Sequence, residues 1–200
     1  MISLKALNPF GKKENQDGNN SNMSKPNFYN DLSIPIIAAP LFLISGPKLV
    51  IECCKNGIVG TFPALNHRTT EGFEQWVIQI KDELSEFEKE TGKKAAPFGV
   101  NLIVHNTNPR IRADLKICVK HKVPIVITSL GAVSQLVGAV HSYGGLVYHD
   151  IIKKRHAEKA SEAGVCLLYT SDAADEVTVY IWGVGGAVKK GGGGGGGGGG

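Results

Sequence analysis

The chain has 200 residues, with 22 Lys and Arg against 18 Asp and Glu, for a formal net charge of +4. The excess sits in a polar leader (Lys12, Lys13, Lys25), on amphipathic stretches (Lys116, Lys120, Lys122) and in Lys153-Lys154-Arg155. No basic stripe alternates with aromatics, which argues against a nucleic-acid surface, and the longest apolar run, Ile34 to Ser45, is proline-interrupted and too short to cross a bilayer.

Both ends differ from the middle in composition. Residues 1–27 are rich in Asn, Lys and Gly and lack hydrophobic periodicity, so they are expected to form a disordered leader. That leader has no apolar core of the kind a secretory signal needs, and Met23 is a second candidate start. At the other end, Gly191 to Gly200 is an unbroken glycine run with nothing to bury. Cys53, Cys54, Cys118 and Cys166 have no metal-ligand spacing. They read as reduced, mostly buried thiols of a cytoplasmic protein with no metal site.

From Ile34 apolar runs alternate with amphipathic stretches. IPIIAAP (34–40) predicts a strand buried on both faces. A helix follows, opened by Pro47 and closed by Gly57. IVGTFPA (58–64) is the second strand. The longest helix spans about Thr70 to Thr91, with Phe73, Trp76, Val77, Ile80, Leu84 and Phe87 on one face and Gly92 at its end. FGVNLIV (98–104) is the third strand, and Asn108-Pro109 reads as the cap and first position of the next helix. VPIVITSL (123–130), a helix over 132–143, GLVYHDI (145–151) and a helix over 153–163 complete five strand–helix units. Strands are expected to end near Pro40, Ala64, Val104, Leu130 and Ile151, all parallel. The fold class is α/β, a partial (β/α)8 TIM barrel of five to six units. No GxGxxG follows the first strand, which disfavours a doubly wound dinucleotide-binding sheet.

Several segments in order carry a family likeness: IPIIAAPLFLISGPKLV, GTFPALNHRT, PFGVNLIVHNTNPR, VPIVITSLGAVSQLVGAVHSYGG and LVYHDIIKKRHAEKASEAGV. Together, over about residues 29–165, they resemble the nitronate monooxygenase (2-nitropropane dioxygenase-like) family of FMN-dependent barrel enzymes. The resemblance implies FMN as cofactor and an alkyl nitronate and O2 as substrates. It implies cofactor contacts at Ala39, Pro40 and Leu41, the last standing where the family has Met, and at Asn101. Strand ends add Ser129, within Thr128-Ser129-Leu130-Gly131, and His149, beside Asp150, as pocket-lining candidates. The remaining histidines are expected to be surface or packing residues. The family's catalytic histidine and phosphate-gripping loops would lie beyond Val165, so no catalytic residue is assigned and this chain is expected to be inactive as written. An FMN-dependent enoyl reductase or NAD(P)H oxidoreductase of the same fold, and a non-catalytic fragment, are the alternatives.

From Cys166 the pattern breaks. CLLYTSDAADE resembles a translated sequencing-library adapter, and a run of G in the read would encode the polyglycine. Residues 166–200 are therefore expected to be an artefactual or disordered tail, with residues 28–165 forming the barrel part. Cys166-Leu167-Leu168-Tyr169 is apolar enough to make a sixth strand, whereas Tyr180 and Trp182 are not expected in the core.

Overall fold

The computed structural model describes residues 2–3, 32–131, 134–151 and 154–169. Five strands form one parallel sheet in chain order: β3 (Gly60–Pro63), β4 (Phe98–Ile103), β5 (Ile125–Ser129), β6 (Leu146–Asp150) and β7 (Leu167–Tyr169). The short β2 (Ile36–Ile37) precedes them and is linked to the sheet by a parallel bridge between Ile37 and Val59. Parallel neighbours need long crossovers, and helices supply them. They are α1 (Pro47–Lys55), α2 (Thr70–Thr91), α3 (Ile111–Lys120), α4 (Ser134–His141) and α5 (Lys154–Glu162). The strand order never reverses, so the sheet has no switch point of the doubly wound kind. This is the winding of a (β/α)8 barrel, of which the chain forms part.

Alternation along the strands sorts their side chains to two faces. Phe62, Phe98, Val100, Leu102, Val126 and Val147 pack with helix residues such as Phe73, Val77, Cys118 and Val137. Ile37, Val59, Ile125, Ile127 and Tyr148 form a separate cluster on the inner face. Phe62 anchors α2 through Phe73 and Trp76, each with ring centroids 6.0 Å away. Fully burying a side chain of this size contributes about 1.5–3 kcal/mol.

Local signals place most boundaries. Pro47 opens α1, and Gly57, Gly92, Gly144 and Gly164 take positive φ where helices end. Thr69 caps α2, its hydroxyl accepting from Gly72 N–H at 3.1 Å. Strands end at Pro63, Ile103, Ser129 and Asp150, each one residue before its expected position. Three expectations need correction. The first strand is only Ile36–Ile37, because Pro35 and Pro40 have no N–H for the ladder. Asn108 does not cap α3, which starts at Ile111. Its Oδ1 instead accepts from Arg110 N–H at 3.0 Å and its Nδ2 donates to Ile103 O at 2.9 Å, tying the turn to the end of β4. Within the leader, Ile2–Ser3 (β1) pairs antiparallel with β2.

The apolar segment after Val165 does form a sixth parallel strand, β7. Tyr180 and Trp182 lie outside the described residues. Among the described residues no helix is long and apolar enough to cross a membrane, and no His, Cys, Asp or Glu cluster has the makings of a metal site.

Candidate functional site

The loop after β2 is the first component at the C-terminal end of the sheet. Ser45 is buried; its hydroxyl accepts from Leu41 N–H at 2.9 Å and donates to Ala39 O at 3.3 Å. Thr61 Oγ1 holds Ala38 O from the neighbouring strand. From the loop after β3, Asn66 Nδ2 donates to Leu41 O and Ser45 O, and Asn66 Oδ1 accepts from Leu43 N–H. Ala39-Pro40-Leu41 is thus fixed through its backbone. The apolar side chains beyond it face outward: Leu41 is 48% exposed, Phe42 68%, Leu43 76% and Ile44 69%. Leu130, directly after β5 at the same end of the sheet, is 66% exposed. These exposed apolar side chains lie together at the end of the sheet where a ligand or further chain can contact them. Leu43 and Leu130 also hold left-handed backbone, with φ of 61° and 65°, a conformation that costs a leucine energy.

The second component lies on the inner face. Asn101 in β4 and Ser129 at the end of β5 share it with Ile127 and Tyr148, as the register Pro63–Asn101–Ile127–Tyr148 requires. Asn101 Nδ2 donates to Ser129 Oγ at 2.8 Å and to Ile127 O at 3.3 Å. Both residues are buried, Asn101 at 5% and Ser129 at 8% exposure. The structure brings these two predicted residues together.

His149 does not join them. It lies two residues from Val147, whose side chain packs toward the helices, and its ring Nδ1 meets Thr128 Oγ1 at 2.7 Å on that side. The expectation that His149 lines the same pocket is corrected by strand alternation, which gives the inner face to Asp150 instead. Gly131 also has an internal reason: a Cβ there would stand 2.8 Å from Val104 O, so the chain needs glycine to pass the end of β4. Other described histidines are packing or surface groups. His67 lies edge-on to Trp76 at 5.2 Å, His105 meets Thr107 Oγ1 at 2.9 Å, and His121 Nε2 contacts Glu74 Oε1 at 2.7 Å.

Sequence reasoning missed the Arg110 cluster that ties two of the C-terminal loops together. Arg110 donates to His67 O at 2.6 Å, Thr69 O at 3.1 Å, Thr70 Oγ1 at 3.2 Å and Asp114 Oδ1 at 3.1 Å. Asp114 is 1% exposed on the buried side of α3. The one available signal was an aspartate in step with Ile111, Leu115 and Cys118. None of the four thiols, Cys53 included, is shifted toward the thiolate. Burial pushes Cys54 up to about 12 and raises Cys118 further, and it raises Cys166, which lies 3.2 Å from His141 Nε2.

No protein-family model matches the chain, and no curated protein sequence matches it. Solved structures do. FabK from Thermotoga maritima superposes with a TM-score of 0.59 at 19% identity, over 74% of this chain and 44% of its own. Nitroalkane oxidase from Streptomyces ansochromogenes gives 0.59 at 19% identity, over 71% and 47%. The enoyl reductase domain of MlnA, from the macrolactin biosynthesis cluster of Bacillus amyloliquefaciens, gives 0.56 at 18%, over 70% and 34%. The chain shares their fold. It spans less than half the length of each of these structures.

Proposed function

We propose that the chain is the N-terminal part of an FMN-dependent barrel oxidoreductase that oxidises alkyl nitronates with O2. The observation that carries this reading is the meeting of Asn101 and Ser129 at the inner, C-terminal end of the sheet, which also carries the held Ala39-Pro40-Leu41 segment. A carboxamide and a hydroxyl next to apolar surface suit a flat ring with a polar edge. The residues present therefore fit the ring of a flavin. Leu41 and Leu130 would offer apolar cover, Ala39 and Pro40 would lend backbone, and Asn101 with Ser129 would meet the polar edge. When bound, the flavin supplies electron transfer from substrate and to oxygen. This chain's residues would exclude water and orient the ring. Proton transfer and the phosphate grip fall to residues that the family resemblance places beyond Val165. The free thiols fit a reducing compartment, the cytoplasm.

Titration of FMN fluorescence with the protein read past Val165, in which the phosphate grip is present, tests the cofactor reading. Saturable quenching, weakened by Asn101→Leu, is expected; a response that never saturates would sink it. A copy of the gene read past Val165 tests the reaction. Oxygen uptake driven by propyl-2-nitronate is expected from that protein. If it instead reduces an enoyl thioester at the expense of NAD(P)H and ignores nitronate, the enoyl-reductase reading takes over, in line with the MlnA domain's similarity.

A further inference from the structure

Ile127 O is an obligate acceptor, so the Asn101 side-chain atom that bonds to it is the amide nitrogen. The amide's orientation therefore follows from chemistry as well as from density of contacts. The other N–H goes to Ser129 Oγ at 2.8 Å. Both amide donors are spent within the sheet. Asn101 Oδ1 remains as an acceptor and takes no hydrogen bond from the described residues. Nor is it sealed away: among the described residues the enclosed side-chain oxygen that lacks a partner is Asp114 Oδ2. Ser129 Oγ, having accepted, keeps its own proton to donate. An acceptor next to a donor does not suit a phosphate, which would want donors alone. It complements an N–H/C=O edge.

Resting on the flavin reading above, we propose that Ser129 is a positioning residue. It locks the Asn101 amide so that Asn101 Oδ1 and the Ser129 hydroxyl together read the N–H/C=O edge of an imide ring, here the pyrimidine edge of the flavin. The serine acts mainly through the asparagine. Without it the amide loses one of its two restraints, and its oxygen no longer points one way.

Two measurements separate this claim from the flavin reading itself. The first needs no ligand. In 15N-labelled protein both Asn101 side-chain amide protons should exchange slowly with solvent, and in Ser129→Ala at least one should exchange faster. Ser129→Thr, which keeps the hydroxyl, should restore the slow pattern. Equal exchange in the native chain and Ser129→Ala overturns the positioning role whether or not flavin binds. The second measurement, on the protein read past Val165 so that the phosphate grip is present, is fluorescence titration with FMN and with 3-methyl-FMN, whose N3 has no proton. The native chain should favour FMN by about tenfold, the scale of one hydrogen bond lost with its partner left unpaired. That preference should shrink in Ser129→Ala and return in Ser129→Thr. Equal binding of the two flavins by the native chain overturns the imide-edge assignment. No binding of either overturns the flavin reading, and the exchange data still decide the role of Ser129.

Discussion

Leu43 N–H donates to Asn66 Oδ1 at 3.0 Å across a separation of 23 residues, while the nitrogen of the same amide serves Leu41 O at 3.0 Å and Ser45 O at 2.7 Å. One side chain thus satisfies three backbone groups of a loop that has no ladder of its own. The loop after β3 thereby holds the loop after β2, and with it the exposed run from Leu41 to Ile44.

Asn66→Ala should cost about 0.5–1.5 kcal/mol, the net worth of hydrogen bonds in a loop whose backbone groups can turn to water. Urea unfolding measures the loss. Limited chymotrypsin digestion should cut first near Phe42 and Leu43 in the variant and not in the native chain. An unchanged midpoint with an unchanged cleavage pattern would refute the clamp.

Leu130 pays for its left-handed backbone with little packing in return, since two thirds of it is exposed. Glycine removes a strain of about 1–2 kcal/mol and adds an entropic cost of about 0.5–1 kcal/mol. Leu130→Gly should therefore stabilise the fold by about 0.5 kcal/mol, while Leu130→Val should destabilise it. Thermal melts of the pair check the order. Weaker FMN binding in Leu130→Gly, despite higher stability, would support apolar cover of the ring by Leu130.

Arg110 neutralises Asp114 inside the protein, where the arginine side chain is 18% and the aspartate side chain 1% exposed. Arg110→Ala leaves a buried carboxylate without its cation and should cost about 3–5 kcal/mol. Arg110→Lys should rescue poorly, because one ammonium does not reach the guanidinium's five partners. Removing both charges, as Arg110→Met with Asp114→Leu, should cost less than Arg110→Ala alone. A double variant less stable than the single would contradict this account.

Glu74 gives a pH dependence of defined sign. Hydrogen bonds from His121 at 2.7 Å and Lys120 at 2.8 Å hold its carboxyl below the usual carboxylate range. A depressed folded-state value means that stability is present above the unfolded value and lost as pH falls through the folded one. Glu74→Gln should therefore unfold at lower urea than the native chain at neutral pH, and the two curves should converge in acid. A gap that persists or widens on acidification would rule out this linkage.

The parallel β/α order and most element ends were legible in the chain because they rest on local physics. Pro47 opens a helix, Gly57 and Gly92 supply positive φ, and continuous apolar runs such as Ile125–Ile127 allow burial on both faces. Asn101 stood out for the same reason, as an amide within an apolar strand. The likeness of the segments to a flavin-enzyme family also pointed to the strand ends.

What the sequence alone determined was the succession of strands and helices, since composition, periodicity and caps act over a few residues. Tertiary structure decided which side chains meet. It paired Asn101 with Ser129 from 28 residues away, sent His149 to Thr128 on the opposite face, and used Asn66 and Arg110 as clamps between loops. Those outcomes depend on strand register and on how adjacent loops approach one another. A shift of one residue in register would exchange the two faces. Register is set by the packing of the whole sheet against its helices, and that information is distributed along the chain.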